Sequence, residues 1–249
     1  MSERQHVICW DMDGTLGNLH AVLYNIEGQP LPEWEKPLSI RYGMEELLTE
    51  FSPANGFVNY VTTSASDENG YVSQAIQALG LTSQFREIFS RNVISRGYGK
   101  LYTPVKTAAE VKDHQAQMIA IGDSPGDAPA DLNGMIFMDL SGGHNLEALV
   151  IREVIVALLE AGEGNFRRGF DNLYNAIEGG SDIRTEFQGL TYTLPNGITF
   201  FMQMREINPY DNHSLKTGEA PYPTEPILHI PTIYFIEAPE AYQKPFRRL

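Results

Sequence analysis

Up to about residue 160, short apolar runs alternate with stretches whose apolar positions recur at helical spacing. Val7-Ile8-Cys9-Trp10 is the first run and stops abruptly at Asp11. Short apolar runs bounded by turn signals predict buried strands. Four more follow at Gly56–Val61, Glu87–Ser90, Met118–Ile121 and Met135–Met138. Between them, Met44, Leu47, Leu48 and Phe51 predict a helix over Tyr42–Phe51, which stops before Ser52-Pro53. Val72, Ile76 and Leu79 predict another over Tyr71–Gly80, with Gly80 as its C-terminal cap. Thr103-Pro104 opens a third with Thr as N-cap and Lys106 in its first turn, and Asn145 caps a fourth from Leu146 to about Ala161. Five strands alternating with helices predict an α/β fold, a parallel sheet flanked by helices on both faces.

Two stretches break this rhythm. Gly17–Lys36 predicts a small hairpin or flap with its turn at Glu27-Gly28. After Asn165–Ile177, a further helical stretch, Leu190–Leu194 and Ile198–Met204 flank Pro195-Asn196-Gly197, where Asn-Gly suits a type I′ hairpin. Asn208–Pro226 is turn-rich. Ile227–Ala238 is apolar and β-branched, with Pro231 placing it at a sheet edge. The chain divides on this reading into residues 1–161, an α/β domain, and residues 162–249, a C-terminal α+β appendage of unknown role.

The 249 residues are 42% hydrophobic, enough for a sizeable core. The one cysteine, Cys9, lies inside the first strand, so no internal disulfide forms and a reducing compartment fits. No apolar run approaches a membrane span, and the expectation is a soluble cytoplasmic protein. A net charge of −14 argues against non-specific binding to nucleic acid or anionic membranes. It does not argue against a phosphorylated substrate, because a local metal and lysine outweigh the global field.

Candidate chemistry gathers at the predicted strand tips. Asp11 and Asp13 end the first, with Gly14 suited to a tight backbone reversal; the alternative is an Asp-Gly turn with solvated acids. Thr62 and Thr63 end the second, and Asp123 and Asp127 follow the fourth in Gly122-Asp123-Ser124-Pro125-Gly126-Asp127. Ligands of open parallel sheets bind at this edge. Phosphoryl transfer through an aspartyl-phosphate needs a nucleophilic carboxylate, a second carboxylate for proton transfer and Mg²⁺. It also needs hydroxyl and N–H donors for the phosphoryl oxygens, and a lysine.

In these motifs, in this order, the sequence resembles the haloacid dehalogenase-like (HAD) superfamily. Asp-x-Asp-Gly-Thr stands at Asp11–Thr15, the strand ending in a hydroxyl at Thr62, and Gly-Asp-x-x-x-Asp at Gly122–Asp127. The resemblance covers about residues 6–160 and implies a Rossmann-like sheet. It implies Asp11 as nucleophile and Asp13 as acid/base. It further implies Mg²⁺ held by Asp11, the Asp13 carbonyl and Asp123, with Asp127 as further ligand or support. The motif lysine is Lys106, at a helix start, with Lys100 as competitor; Thr62 is preferred to Thr63, whose alternative is a hydroxyl bonded to backbone. Gly14 and Thr63 fall on the substrate side. Arg41-Tyr-Gly-Met-Glu-Glu-Leu-Leu, Thr-Thr-Ser-Ala-Ser and Asp-Glu-Asn-Gly-Tyr are similar to the phosphatases of the RNA polymerase II C-terminal domain. These are members without a large cap.

The expected function is a Mg²⁺-dependent phosphatase acting on a small molecule or a phosphoprotein. Asp13 argues for phosphoryl transfer over dehalogenation. A phosphotransferase with the same residues and a non-catalytic scaffold protein are the alternatives. His144 reads as a loop residue or substrate contact, Arg167 and Arg168 as surface or substrate-reaching, and Trp10 and Tyr60 as core.

Overall fold

β1 (His6–Asp11) lies inside the sheet and is buried on both faces: Ile8 and Trp10 join one core, Val7 and Cys9 the other. A strand covered on both sides reads as an unbroken apolar run. The structure, a computed structural model, describes residues 6–63, 65, 67, 69–90, 117–123, 135–141, 146–178, 183–184, 189–207, 228–244 and 246–249. β1 pairs in parallel with β4 (Phe57–Thr62) on one side and β6 (Met118–Gly122) on the other. β5 (Glu87–Phe89) and β7 (Ile136–Asp139) extend the sheet, also in parallel, to give the five-stranded order β5-β4-β1-β6-β7. Asn59 interrupts the apolar run of β4 and is buried with both ends satisfied. Trp10 Nε1 donates to its Oδ1 at 2.9 Å, and its Nδ2 donates to the Phe51 carbonyl at 2.7 Å.

Among the described residues the helices are α1 (Ala21–Ile26), α2 (Met44–Glu50), α3 (Tyr71–Ala78), α4 (Ala148–Ala161) and α5 (Phe166–Glu178). α4 buries Val150, Ile151, Val154, Ile155 and Leu158 in the same core as Ile8 and Trp10. α5 packs back on α4 at glycine contacts. A Cβ on Gly169 would overlap the Leu158 carbonyl oxygen, so these backbones approach closer than any side chain permits.

The chain beyond α5 continues the same sheet. β11 (Leu228–Glu237) pairs in parallel with β7 through Thr232–Tyr234 and antiparallel with β10 (Thr199–Ile207). β9 (Gly189–Thr193) and β8 (Ile183–Arg184) follow, so that this sheet has nine strands among the described residues. Phe200, Met202 and Ile233 from these strands enter the core of β1. A second, small sheet joins β2 (Gly17–Asn18), β3 (Ser39–Ile40) and β12 (Arg247–Arg248) in the order β12-β3-β2.

Four local expectations differ from the structure. The flap holds α1 in place of a hairpin, because Ala21 and Val22 turn inward as a helical pair; Glu27-Gly28 ends that helix, with Gly28 at φ +66°. Asn196 lacks the positive φ of a type I′ turn. The hairpin closes instead over Leu194–Ile198 with Gly197 alone at φ +85°. Pro231 lies on an interior strand, but β7 pairs only from Thr232 onward, so that side of β11 is locally an edge. α4 begins at Ala148 with Glu147 as its extended N-cap, and Asn145 lies outside the described residues. Among the described residues no helix is long and apolar enough to cross a membrane.

Candidate active site

Asp11 ends β1, only 4% exposed, directly opposite Thr62 on β4. Thr15 Oγ1 donates to its Oδ2 at 3.4 Å. On the other flank β6 pairs with β1 up to Trp10 and Ile121, so Asp123 follows its strand at the same edge of the sheet. Parallel strands put all three tips on one side, as the alternation of strands and helices requires.

The loop after Asp11 is closed by its own backbone. Gly14 N–H donates to Gly17 O at 2.8 Å and Leu16 N–H to Met12 O at 3.1 Å. Gly14 has φ +77°, and a Cβ there would overlap Oδ2 of Asp123. Glycine is therefore required twice, by the left-handed backbone and by the carboxylate lying against its Cα.

Asp13 is held at both oxygens. Leu19 N–H donates to Oδ1 at 3.0 Å, and the Tyr71 hydroxyl donates to Oδ2 at 3.1 Å. Tyr71, 2% exposed, opens α3. Burial pushes its hydroxyl well above the ordinary tyrosine range, and the charges of Asp13, Glu35 and Asp11 push the same way. The phenol therefore stays protonated. A hydroxyl both donates and accepts, so it can partner Oδ2 whether or not Asp13 carries a proton. This suits a carboxylate that gains and loses one.

Arg41 lies behind the loop, 1% exposed. Its Nε donates to Thr15 O at 2.7 Å, Nη2 to Gly14 O at 2.5 Å and Nη1 to Leu146 O at 2.5 Å. Burial lowers its pKa to about 10, and Asp123 opposes that shift, so the guanidinium is charged at neutral pH.

Thr62 Oγ1 donates to Trp10 O at 3.4 Å, and Thr63 Oγ1 accepts from Ala65 N–H at 3.1 Å. Both hydroxyls thus stand at the tip of β4 with backbone partners. Lys106, Lys100, Asp127 and His144 lie outside the described residues. Arg167 pairs with Asp171 and Arg168 with Glu163 on α5 and the turn before it. Trp10 and Tyr60 are buried in the core.

Among the described residues no group of three or more His, Cys, Asp or Glu side chains gathers as metal ligands. The expected Mg²⁺ set is different in kind: two described carboxylates, Asp11 and Asp123, a backbone carbonyl at Asp13, and Asp127. All are hard oxygen donors, as Mg²⁺ prefers. The missing Cβ of Gly14 is what lets the Asp123 carboxylate lie against the loop. On both counts the residues present fit the ion.

Sequence reasoning gave no role to Tyr71 or Arg41. Tyr71 marks only the start of a predicted helix and the end of the Asp-Glu-Asn-Gly-Tyr stretch. A lone arginine between Ile40 and Tyr42 carries no spacing signal.

No family model and no curated protein matches the chain. Among solved structures it is similar to a HAD-superfamily hydrolase of subfamily IA from Geobacter sulfurreducens, with 14% identity over 54% of this chain and 89% of that one and a TM-score of 0.42. A hydrolase from Streptococcus pneumoniae TIGR4 gives 15% identity over 62% and 100%, with a TM-score of 0.42. A haloacid dehalogenase-like family hydrolase from Streptococcus pneumoniae gives 18% identity over 55% and 84%, with a TM-score of 0.38.

Proposed function

We propose that this chain is a phosphatase of the HAD type, dependent on Mg²⁺, that hydrolyses a phosphomonoester through an aspartyl-phosphate on Asp11. The observation that carries the reading is the meeting of three acids at one sheet edge. Asp11 stands opposite Thr62, Asp13 is oriented through both oxygens, and the Asp123 carboxylate lies against Gly14.

In this reading an Asp11 oxygen attacks phosphorus and the bond to the leaving oxygen breaks, while Asp13 gives that oxygen its proton. Asp13 then takes a proton from water, the water oxygen attacks phosphorus, and the Asp11–phosphorus bond breaks to release phosphate. Thr62, Thr63 and the loop around Gly14 hold the phosphoryl oxygens; Lys106, with Lys100 as the alternative, offsets their charge. Mg²⁺ bound by Asp11, the Asp13 carbonyl, Asp123 and Asp127 would supply further positive charge at the phosphoryl group.

A member without a large cap is favoured by the stretch from Asp11 to Phe57. It holds only β2, β3, α1, α2 and one turn of 3₁₀-helix. An open site of this kind suits a phosphorylated small molecule or a phosphoprotein, and a cytoplasmic setting fits the single buried thiol.

The test is hydrolysis of p-nitrophenyl phosphate by the full chain, with Mg²⁺ and with chelator. Release that needs the metal and vanishes in Asp11→Asn supports the reading. Equal release by Asp11→Asn removes Asp11 as nucleophile.

A further inference from the structure

The loop Met12–Leu16 must keep its shape while carboxylates crowd around it. We propose that Arg41 is the positioning residue of this loop and that Phe246 holds Arg41 in place; the inference rests on Asp11 being the nucleophile.

A guanidinium presents its N–H donors in a rigid planar fork, which usually meets a carboxylate or phosphate. Here it meets the carbonyls of consecutive residues, Gly14 and Thr15. Each peptide is planar and trans, so fixing a carbonyl fixes the N–H that follows it on the opposite side. The directions of the Thr15 and Leu16 amides are thus both set from behind, and the Leu16 N–H closes the loop onto Met12. The third donation, to Leu146 O, ties the loop to the chain just before α4. The buried positive charge also opposes the mutual repulsion of the aspartates in front of it.

Arg41 is held in its turn by the far end of the sequence. The Phe246 ring lies 4.9 Å from the guanidinium carbon, a cation–π contact over a desolvated cation. The segment bearing it is pinned at several points. Glu147 N–H donates to Tyr242 O at 3.1 Å, Lys244 pairs with Glu147 at 2.8 Å, and Arg247 and Arg248 pair with Ile40 and Ser39 in β3. Residues 242–244 and 246–249 therefore span both supports of Arg41, the strand that precedes it and the segment before α4 that receives its Nη1. A lysine would keep the charge, but its single ammonium cannot bridge three diverging carbonyls.

The experiment compares full-length wild type, Arg41→Lys and Phe246→Ala. Two readouts are used: steady-state turnover of p-nitrophenyl phosphate with Mg²⁺, and amide hydrogen exchange at Gly14 and Leu16. Displacing a reacting group by about 1 Å costs about 10²-fold, so Arg41→Lys should lower kcat by about that factor, and Phe246→Ala by about tenfold. In both, KM should stay within about threefold, because the loss falls on orientation. Exchange at Gly14 and Leu16 should accelerate in both variants while core amides of β1 keep their protection. Unchanged exchange at the two loop amides overturns the proposal. So does a fall in melting temperature with kcat per folded molecule unchanged, which would make Arg41 merely structural. If Arg41→Lys does not fold, Phe246→Ala decides alone. A wild type without phosphatase activity would sink the functional reading, and the exchange data would still decide whether Arg41 holds the loop.

Discussion

In the proposed reaction Asp13 moves a proton, and the Tyr71 hydroxyl on its Oδ2 is the contact that suits it to that task. A backbone N–H can only donate, so Oδ1 is committed to an acceptor role; Oδ2 faces a hydroxyl that can serve either form. Tyr71→Phe should lower kcat by about tenfold or more, the scale of a hydrogen bond to a charged group. It should also move the pH–rate profile. Removing a donor to the carboxylate disfavours the charged form, so both limbs that report Asp13 should shift to higher pH. Tyr71 itself stays protonated, because its own titration lies far above the assay range. An unshifted profile in Tyr71→Phe would remove the hydroxyl from this role. The asymmetry between these two residues also explains what the sequence could disclose. Asp11 and Asp13 are adjacent to a strand signal, so their chemistry is local. The Tyr71–Asp13 contact spans 58 positions and the Arg41–Gly14 contact 27, and each residue type is unremarkable where it stands.

Elements were legible where the period was strong. The central strands have near-continuous apolar runs because both faces are covered, with Asn59 the interruption in β4, and α4 has a long apolar face. The flap was not legible, because a six-residue helix offers too few positions to show a period. The hairpin turn was misread because Asn-Gly is compatible with more than one closure, and the longer closure over Leu194–Ile198 uses only the glycine's positive φ. Pro231 was misread because edge or interior is decided by a distant strand, β7, that stops pairing one residue away. The α4–α5 contact is the element most exposed to a small change. Gly169→Ala would push a methyl group into the Leu158 carbonyl, and overpacking of this kind costs about 1–3 kcal/mol. Chemical denaturation should register that loss with the slope unchanged; stability at or above wild type would mean that the helices separate without cost.

At the scale of the molecule, the chain after Ala161 closes the sheet that carries the site. β11 covers the outer side of β7, and Phe200, Met202 and Ile233 fill the same core as Ile8 and Trp10. Arg247 and Arg248 return to the small sheet that follows the Asp11 loop. A chain ending at Ala161 should therefore expose the apolar surface of β7 and α4 and fail to give a cooperative melt. A soluble fragment with a sharp transition would show that residues 162–249 are separable. Strand tips, helix periods and the order of motifs made the architecture of the first part readable. The return of the last strands was not, because pairing across the whole chain leaves no local mark.

If Asp11 carries the phosphoryl group as proposed, covalent trapping captures it there. The full chain would be mixed with p-nitrophenyl phosphate and Mg²⁺, quenched in acid and treated with borohydride, which reduces an acyl phosphate to an alcohol. Peptide mass spectrometry should then find Asp11 converted to homoserine, and no conversion in Asp11→Asn. Turnover by wild type without any modification at Asp11, or with the modification at another residue, would exclude Asp11 as the nucleophile.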